Sequence, residues 1–563
     1  TLDFLRSAAQ AEGKLGDGDA AARLWTFCEE RGKVAHLLTE GRPILLAIVA
    51  DLVARGWDLP PAFDRDLCEI EQENAESWGP EVEQALVLQL LGSPEPIGNT
   101  IRALGWLRKG ATPELLARVM GLKTLDGEWD VYTVSGYLQQ ASQLALVQVR
   151  PGGRKVFLHD ELYALLDKHV YQACRQEERD RIHGSIQDYY WDLTRELERR
   201  VEQLPPGYAA IQARLRRAFV EEMHYRLAFS PPMGFAMYFW LAEDAVGGRD
   251  AEMDMVVRTE FLRTMGLLRA SGRFAGLVPR EAEMDAAVRW GLRALFLQGR
   301  PEAALKIFDQ IRRRWGKDAG TLGLAWVHMQ LYRALAKIHR AERDDWQVAR
   351  DLLVNVEQSV YSILRTPAET PTVRGRRWQA RIMRSLALNF RGYLDRQQGR
   401  YVEAVQNYQE SAMLQRRLGM AALAPTLTNL SYALSLVGDF DHARLLTEEA
   451  ERLARRTGKE HMLAMTLNVR ALVEAQDHHH RAALRYTDRA MEVAAKLPSF
   501  RVRGLISLTR ARARRYLWDA LTEAERKREP QFFDEALKEA AQAVKLLRNS
   551  PPDRVDALLE RGC

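Results

Sequence analysis

The chain has 563 residues, 47% of them hydrophobic and 28% charged, with 81 Lys and Arg against 76 Asp and Glu for a net charge of +5. That length accommodates roughly three or four domains with ample buried core. So small a charge imbalance, spread over the whole chain, does not imply nucleic acid.

Four cysteines (Cys28, Cys68, Cys174 and Cys563) lie far apart and form no CxxC pair. Their spacing argues against structural zinc and against a disulfide framework, and fits a reducing cytoplasm. The apolar run Ile44 to Ala50 is cut off by Asp51, too short to span a bilayer. No signal peptide is visible. The first residue is Thr1 rather than Met, which points to a piece of something longer.

Residues 1–95 read as a small helical domain. From Ala20 to Leu38 the apolar positions Leu24, Phe27, Cys28, Val34, Leu37 and Leu38 recur at helical spacing. Gly41 interrupts them, and Pro43 opens the next helix at a first-turn position, followed by Ile44-Leu45-Leu46-Ala47-Ile48-Val49. Asp58-Leu59-Pro60-Pro61 breaks the pattern, a polar stretch runs from Glu71 to Pro80, and a further helix runs from Val82 to Leu91.

Residues 96–175 change texture after the linker Ser93-Pro94-Glu95-Pro96. A helix to Arg108 precedes Thr112-Pro113-Glu114, in which Thr caps, Pro takes the first helical position and Glu complements the helix dipole. That second helix runs to Met120 and a third runs from Val131 to Gln143. Two short apolar strands, Leu144–Arg150 and Lys155–Leu158, flank Pro151-Gly152-Gly153 as a hairpin. Three helices followed by a hairpin predict a winged helix, closing on Leu158-His159-Asp160.

Residues 176–275 read as a connecting helical domain with Pro-Pro breaks at 205–206 and 231–232. Residues 276–563 carry a repeat. Gly399, Tyr401, Ala404 and Tyr408 recur 39 residues later as Gly438, Phe440, Ala443 and Thr447, and a second shift of 39 gives Asp477, His479, Ala482 and Tyr486. The same frame appears at Gly299, Pro301, Ala304 and Phe308, at Asp344, Trp346 and Ala349, and at Phe533 and Ala536. A small Ala is needed where two helices cross closely, and the aromatic fills the wedge between neighbouring hairpins. The predicted fold class is predominantly all-α: a helical domain, a winged helix with a small β-hairpin, then an α-solenoid.

Gly399-Arg400-Tyr401-Val402-Glu403-Ala404 and Gly438-Asp439-Phe440-Asp441-His442-Ala443 resemble tetratricopeptide (TPR) repeats. Gly41-Arg42-Pro43 resembles the GxP segment of STAND signalling ATPases, the NB-ARC and NACHT class. Leu158-His159-Asp160 resembles their MHD motif, with Leu in place of Met. The family order is a P-loop domain, a small helical domain, a winged helix and a repeat sensor, and the last three match here in order. No GxxxxGK[ST] loop occurs in these residues and no acidic Walker B strand is evident, so as written the chain should not hydrolyse ATP.

The resemblance implies ADP or ATP with Mg²⁺ bound through a domain outside this chain, with Pro43 against the adenine and His159 toward the β-phosphate of ADP. It also implies a protein or small-ligand trigger on the concave TPR face, self-oligomerisation on activation, and an effector acting in bacterial defence against phage or in transcription control. The alternatives stay open: His159 as a residue that caps or packs at the end of a hairpin, Pro43 as a plain helix-start proline, and the whole as a stand-alone TPR adaptor.

A third reading is a DNA-binding activator using the helix 131–143 and a wing with Arg150, Arg154 and Lys155. That helix carries no Lys or Arg to anchor phosphates, which argues for an intramolecular joint. His478-His479-His480 invites a metal reading, but adjacent residues on a turn rarely converge on one ion. The basic runs Arg374, Arg376, Arg377, Arg381 and Arg384, and Arg510, Arg512, Arg514 and Arg515, read as solvated faces paired with Glu, or else as an anion-attracting concave surface. No catalytic constellation is present.

Overall fold

A computed structural model describes residues 1–72, 79–150, 155–203, 208–270, 279–318, 323–367, 370–420, 422–497, 499–548 and 551–562. The predicted Pro151-Gly152-Gly153 turn, Arg154, the Pro-Pro break at 205–206, Cys563 and most of the polar stretch before Pro80 lie outside the described residues. The chain divides into two compact units, Thr1–Asp192 and Leu193–Cys563. It is almost entirely helical, and the one sheet among the described residues has two strands.

In the first unit the helices Leu2–Leu15, Gly18–Thr39 and Pro43–Ala54 pack around Leu5, Leu24, Cys28 and Ala50. Asp17 caps the second of them, accepting from the Ala20 amide at 2.9 Å. Glu40 and Gly41 turn the chain through the left-handed region, at φ 53° and 69°, so that Pro43 can start the third. Helix Gly79–Leu91 packs against both neighbours.

Next come the helices Ile97–Leu104, Pro113–Met120 and Val131–Ala141, then β1 (Val147–Val149) paired antiparallel with β2 (Val156–Leu158). Thr112 caps the second helix through the Leu115 amide at 3.3 Å, and Asp130 caps the third through the Thr133 amide at 3.0 Å. Ala111 bridges to Val156 and so adds a third extended segment to the ladder. Tyr163, on the following helix Asp160–Leu166, clamps the end of β2. Its hydroxyl accepts from the Leu158 amide at 3.2 Å and donates to the Leu107 carbonyl at 3.3 Å.

The second unit is a run of helices, from Tyr208–Phe229 to Pro551–Gly562. From Pro279 onward each long helix packs on the next long helix, and alternate helices, such as Gly323–Arg340 with Pro371–Gln397, also touch. This is the packing of a solenoid of helical hairpins, in which each unit buries its apolar face only by stacking on the next.

The predicted small residues sit where helices cross: Ala304, Ala349, Ala404 and Ala443 are all fully buried. Close approach recurs too. A Cβ on Gly291 would stand 2.2 Å from the Phe308 ring, and one on Gly392 would stand 3.0 Å from Tyr408. In the third predicted unit the register differs by one residue. Ala483, not Ala482, is the fully buried alanine, and Thr487 rather than Tyr486 lies beneath it. The adjacent pair Ala482-Ala483 fits a constant shift of 39 as well as one of 40. The turn decides between them, because His478 at φ 61° takes the left-handed place of Gly399 and Gly438 and His480 then starts the helix.

Candidate functional site

In the first unit, Pro43 is exposed at the start of its helix and makes the turn that the sequence predicted. His159 sits between β2 and the helix Asp160–Leu166. Its amide donates to the Leu146 carbonyl at 2.9 Å, which continues the β1–β2 ladder by one residue. Its side chain does not cap that helix, and Nδ1 is buried without a hydrogen-bond partner among the described residues.

The two predicted residues belong to different elements, and a residue the sequence did not single out connects their neighbourhoods. Glu83, only 4% exposed, takes Arg42 from beside Pro43, Lys168 at 2.6 Å and His169 at 2.5 Å. Burial alone would raise its pKa, but the hydrogen bonds from Lys168, His169 and Arg42 outweigh that and bring it down to about 2. A second link is Asp51, on the helix that Pro43 starts, which accepts from the Ala145 amide at 3.0 Å just before β1. Here burial dominates and the carboxyl is pushed up to about 7. The sequence held one signal for Asp51, a lone carboxylate closing an otherwise apolar run; it held none for Glu83.

The second unit encloses a cavity of about 560 Å³. Helices Pro231–Gly247, Gly323–Arg340, Pro371–Gln397, Leu423–Leu436, Glu460–Gln476 and Phe500–Ala520 contribute its wall. Aromatic side chains (Trp240, Phe296, Tyr332, Phe390, Tyr393 and Tyr432) line it together with Met420, Met462 and Met465. Asn389, Asn429 and Asn468 recur at equivalent places on three successive wall helices. Asn389 donates to Thr426, and Asn429 donates to Asn389 Oδ1 at 3.4 Å. The ladder stops at Asn468, whose buried Oδ1 has no partner among the described residues.

Arg249, Arg396, Lys459, Arg501 and Arg512 line the cavity together with the carboxylates Glu243, Asp244, Asp553 and Asp556. Lys459 pairs with Asp244 at 2.5 Å and Arg501 with Asp553 at 2.6 Å, while Arg512 reaches Glu560 at 3.3 Å. Arg249 and Arg396 also line it, and neither has an ion pair among the described residues. Burial, with Arg501 nearby, lowers the Arg249 pKa to about 9. Burial together with Arg501 and Arg249 holds His339 neutral, with its pKa down at about 3, and pushes His461 the same way.

Beneath this wall lies a buried charge knot. Glu243 meets Arg289 Nη1 at 2.6 Å, His328 Nε2 at 2.6 Å and the Tyr332 hydroxyl; Asp285 meets Arg289 Nε and His328 Nδ1, each at 3.2 Å. Burial opposes all these charges. The pairing nevertheless lowers both carboxyl pKa values and raises that of His328, so each carboxylate is held against both Arg289 and His328.

The predicted basic run Arg510, Arg512, Arg514 and Arg515 is paired throughout, and in the run from Arg374 to Arg384 the ion pairs among the described residues fall on Arg376 and Arg384. Arg376 meets Glu281 at 3.0 Å, Arg384 meets Glu410 at 2.5 Å, and Arg515 meets Glu560 at 2.6 Å. In the triple-histidine turn, His479 lies 3.2 Å from Glu474 while His480 is buried beside Tyr516. No helix among the described residues is long and apolar enough to cross a membrane.

No protein-family model and no curated protein matches the chain. Among solved structures, the chain is similar to a signal transduction ATPase with numerous domains (STAND) protein with a tetratricopeptide repeat sensor from Pyrococcus horikoshii. The identity is 13% and the TM-score 0.45, covering 100% of this chain and 72% of that one. It is also similar to yeast Tom70, at 13% identity and a TM-score of 0.31, covering 72% of this chain and 85% of that one.

Proposed function

We propose that these residues form the hinge and sensor portion of a STAND-type nucleotide-dependent switch. A trigger binds the TPR-like arm, autoinhibition is relieved, and the protein then oligomerises to activate an effector. The observation that carries the reading is the Glu83 junction. The GxP-like segment (through Arg42) and the residues just beyond Leu158-His159-Asp160 (through Lys168 and His169) are fastened to one buried carboxylate. Two pieces that must respond together to a bound nucleotide need such a coupling.

The order of three helices then β1 paired with β2, with Ala111 bridged to Val156, supports the winged-helix reading. Its third helix exposes Tyr132 and offers no cation to a phosphate backbone, which favours a joint over a DNA reader. His159, with Nδ1 unpartnered and buried, is suited to donate to a phosphate oxygen supplied from elsewhere. The nucleotide-binding core such a switch requires is not among these 563 residues. To invert a 1:99 population the trigger must prefer the open state by about 5.5 kcal/mol.

The test is nucleotide content. The full-length gene product is purified and its released nucleotide quantified, for the wild type and for His159→Ala. The switch reading expects ADP in the wild type, and either loss of ADP or constitutive activity in the variant. A full-length product that carries no nucleotide, and whose oligomeric state ignores added ADP and ATP, leaves only the adaptor reading.

A further inference from the structure

We infer that the cavity of the second unit binds a small organic anion, a phosphate- or carboxylate-bearing molecule with a flat apolar body, through Arg249 and Arg396. The inference names the trigger's chemistry and so rests on the sensor reading above. The cavity volume of about 560 Å³ falls in the range that encloses small-molecule ligands.

Three independent features of the wall point the same way. First, its cations are only partly compensated. Lys459, Arg501 and Arg512 have carboxylate partners, whereas Arg249 and Arg396 have none among the described residues. Among the described residues, Arg249 has burial and the like charge of Arg501 around it and no carboxylate acting on it. Arg396 feels Asp553 and Asp556 without an ion pair to either, so the pair favours the arrival of an anion. Second, polar side chains there are buried and left open. Gln415 is fully buried, with neither its Oε1 nor its Nε2 hydrogen-bonded, and Asn468 is 3% exposed with Oδ1 unbonded. Buried amides normally find partners, and these two await one. Third, the Arg396 guanidinium lies over the rings of Tyr432 at 4.7 Å and Tyr393 at 5.1 Å, two other residues of the lining, and these contacts hold it at the cavity wall.

Arg249 also adopts a backbone conformation that disfavours a side chain. It follows Gly247-Gly248 and closes the helix Pro231–Gly247 at φ 55°, although two glycines stand beside it. A left-handed arginine next to available glycines is local strain retained at a place where the side chain is used.

The experiment compares three probes that share a naphthalene body: 1-naphthyl phosphate, 1-naphthoate and neutral 1-naphthol. Each is titrated by fluorescence and calorimetry into the full chain and into Arg249→Gln and Arg396→Gln, with thermal unfolding to confirm that each variant is folded. At least one anion is expected to bind one-to-one and tenfold or more tighter than 1-naphthol. Which anion wins separates a phosphate from a carboxylate ligand. Either substitution should remove most of that advantage and leave 1-naphthol unchanged.

The inference is overturned if 1-naphthol binds as tightly as both anions, if no probe binds, or if the anion's advantage survives in both folded variants. Failure here is distinguishable from failure of the switch. A protein that holds ADP but shows no anion preference keeps the switch and loses this ligand, and the converse result keeps the ligand and loses the switch.

Discussion

Glu83 and His169 lie 2.5 Å apart in a pocket where Arg42 and Lys168 complete the ring around the same carboxylate. Arg42, Lys168 and His169, from two separate stretches of the first unit, thus converge on one buried carboxylate of the helix Gly79–Leu91. Removing the carboxylate strands His169, 8% exposed at its side chain, without its partner. We expect Glu83→Gln to destabilise the first unit by about 3 kcal/mol, measured by urea unfolding. The pH dependence has a definite sign. The folded pKa is lowered to about 2 from 4.5, so this stabilisation is complete above about pH 4.5 and is lost as pH falls toward 2. Wild type and variant should therefore converge in acid, and an undiminished difference at pH 2.5 would refute the assignment.

Asp51 behaves in the opposite sense. Its folded pKa is raised to about 7 from 3.8, so the folded state binds a proton more tightly than the unfolded chain. The carboxyl therefore opposes folding increasingly as pH rises from about 4 to about 7, and by a constant amount above that. Asp51→Asn keeps an acceptor for the Ala145 amide and removes the charge. The variant should match the wild type near pH 4, gain on it progressively up to pH 7, and hold that gain at pH 8, as read from denaturation midpoints across this range.

The knot of Glu243, Asp285, Arg289 and His328 is matched in charge, and each member is needed to balance the rest. Arg289→Met leaves two buried carboxylates facing a single imidazole. A loss of about 3–5 kcal/mol in the second unit is expected. Chemical denaturation is the measurement, and a loss below 1 kcal/mol would show that the knot is already hydrated.

His478 carries a left-handed backbone where the two preceding repeats use glycine. Its neighbours supply the turn's contacts: the His479 amide donates to the Glu474 carbonyl at 2.8 Å. His478→Gly should stabilise the solenoid by about 1 kcal/mol, because the strain of a Cβ at positive φ exceeds the extra chain entropy of glycine. A rise in thermal midpoint tests it. The same substitution leaves the flanking His479 and His480 in place, so it also separates the turn's geometry from any role of the histidine run.

Much of the fold was legible in local pattern. Helix starts at Pro43 and at Thr112-Pro113 follow from capping chemistry that acts within one turn, and they fall where the residues predict. The two strands lie within the short apolar runs that flank Pro151-Gly152-Gly153, shorter than predicted at Val147–Val149 and Val156–Leu158, and the repeat follows from glycine and alanine recurring at nearly fixed distance. The helix starts and strands survive in a bare sequence because each is decided by neighbours fewer than about ten residues away, and the repeat survives because the same local pattern is written again in each unit.

Tertiary structure decided the rest. Local sequence could not distinguish Ala482 from Ala483 at a crossing, since no glycine marks the left-handed turn position that His478 takes. Nor could it show that Glu83 gathers Arg42 and His169, or that Arg249 and Arg396 share one cavity, because those residues stand far apart in sequence. Charge pairing and cavity lining depend on which side chains a fold brings within a few ångströms. That is a property of packing over long chain separations, and no periodicity records it.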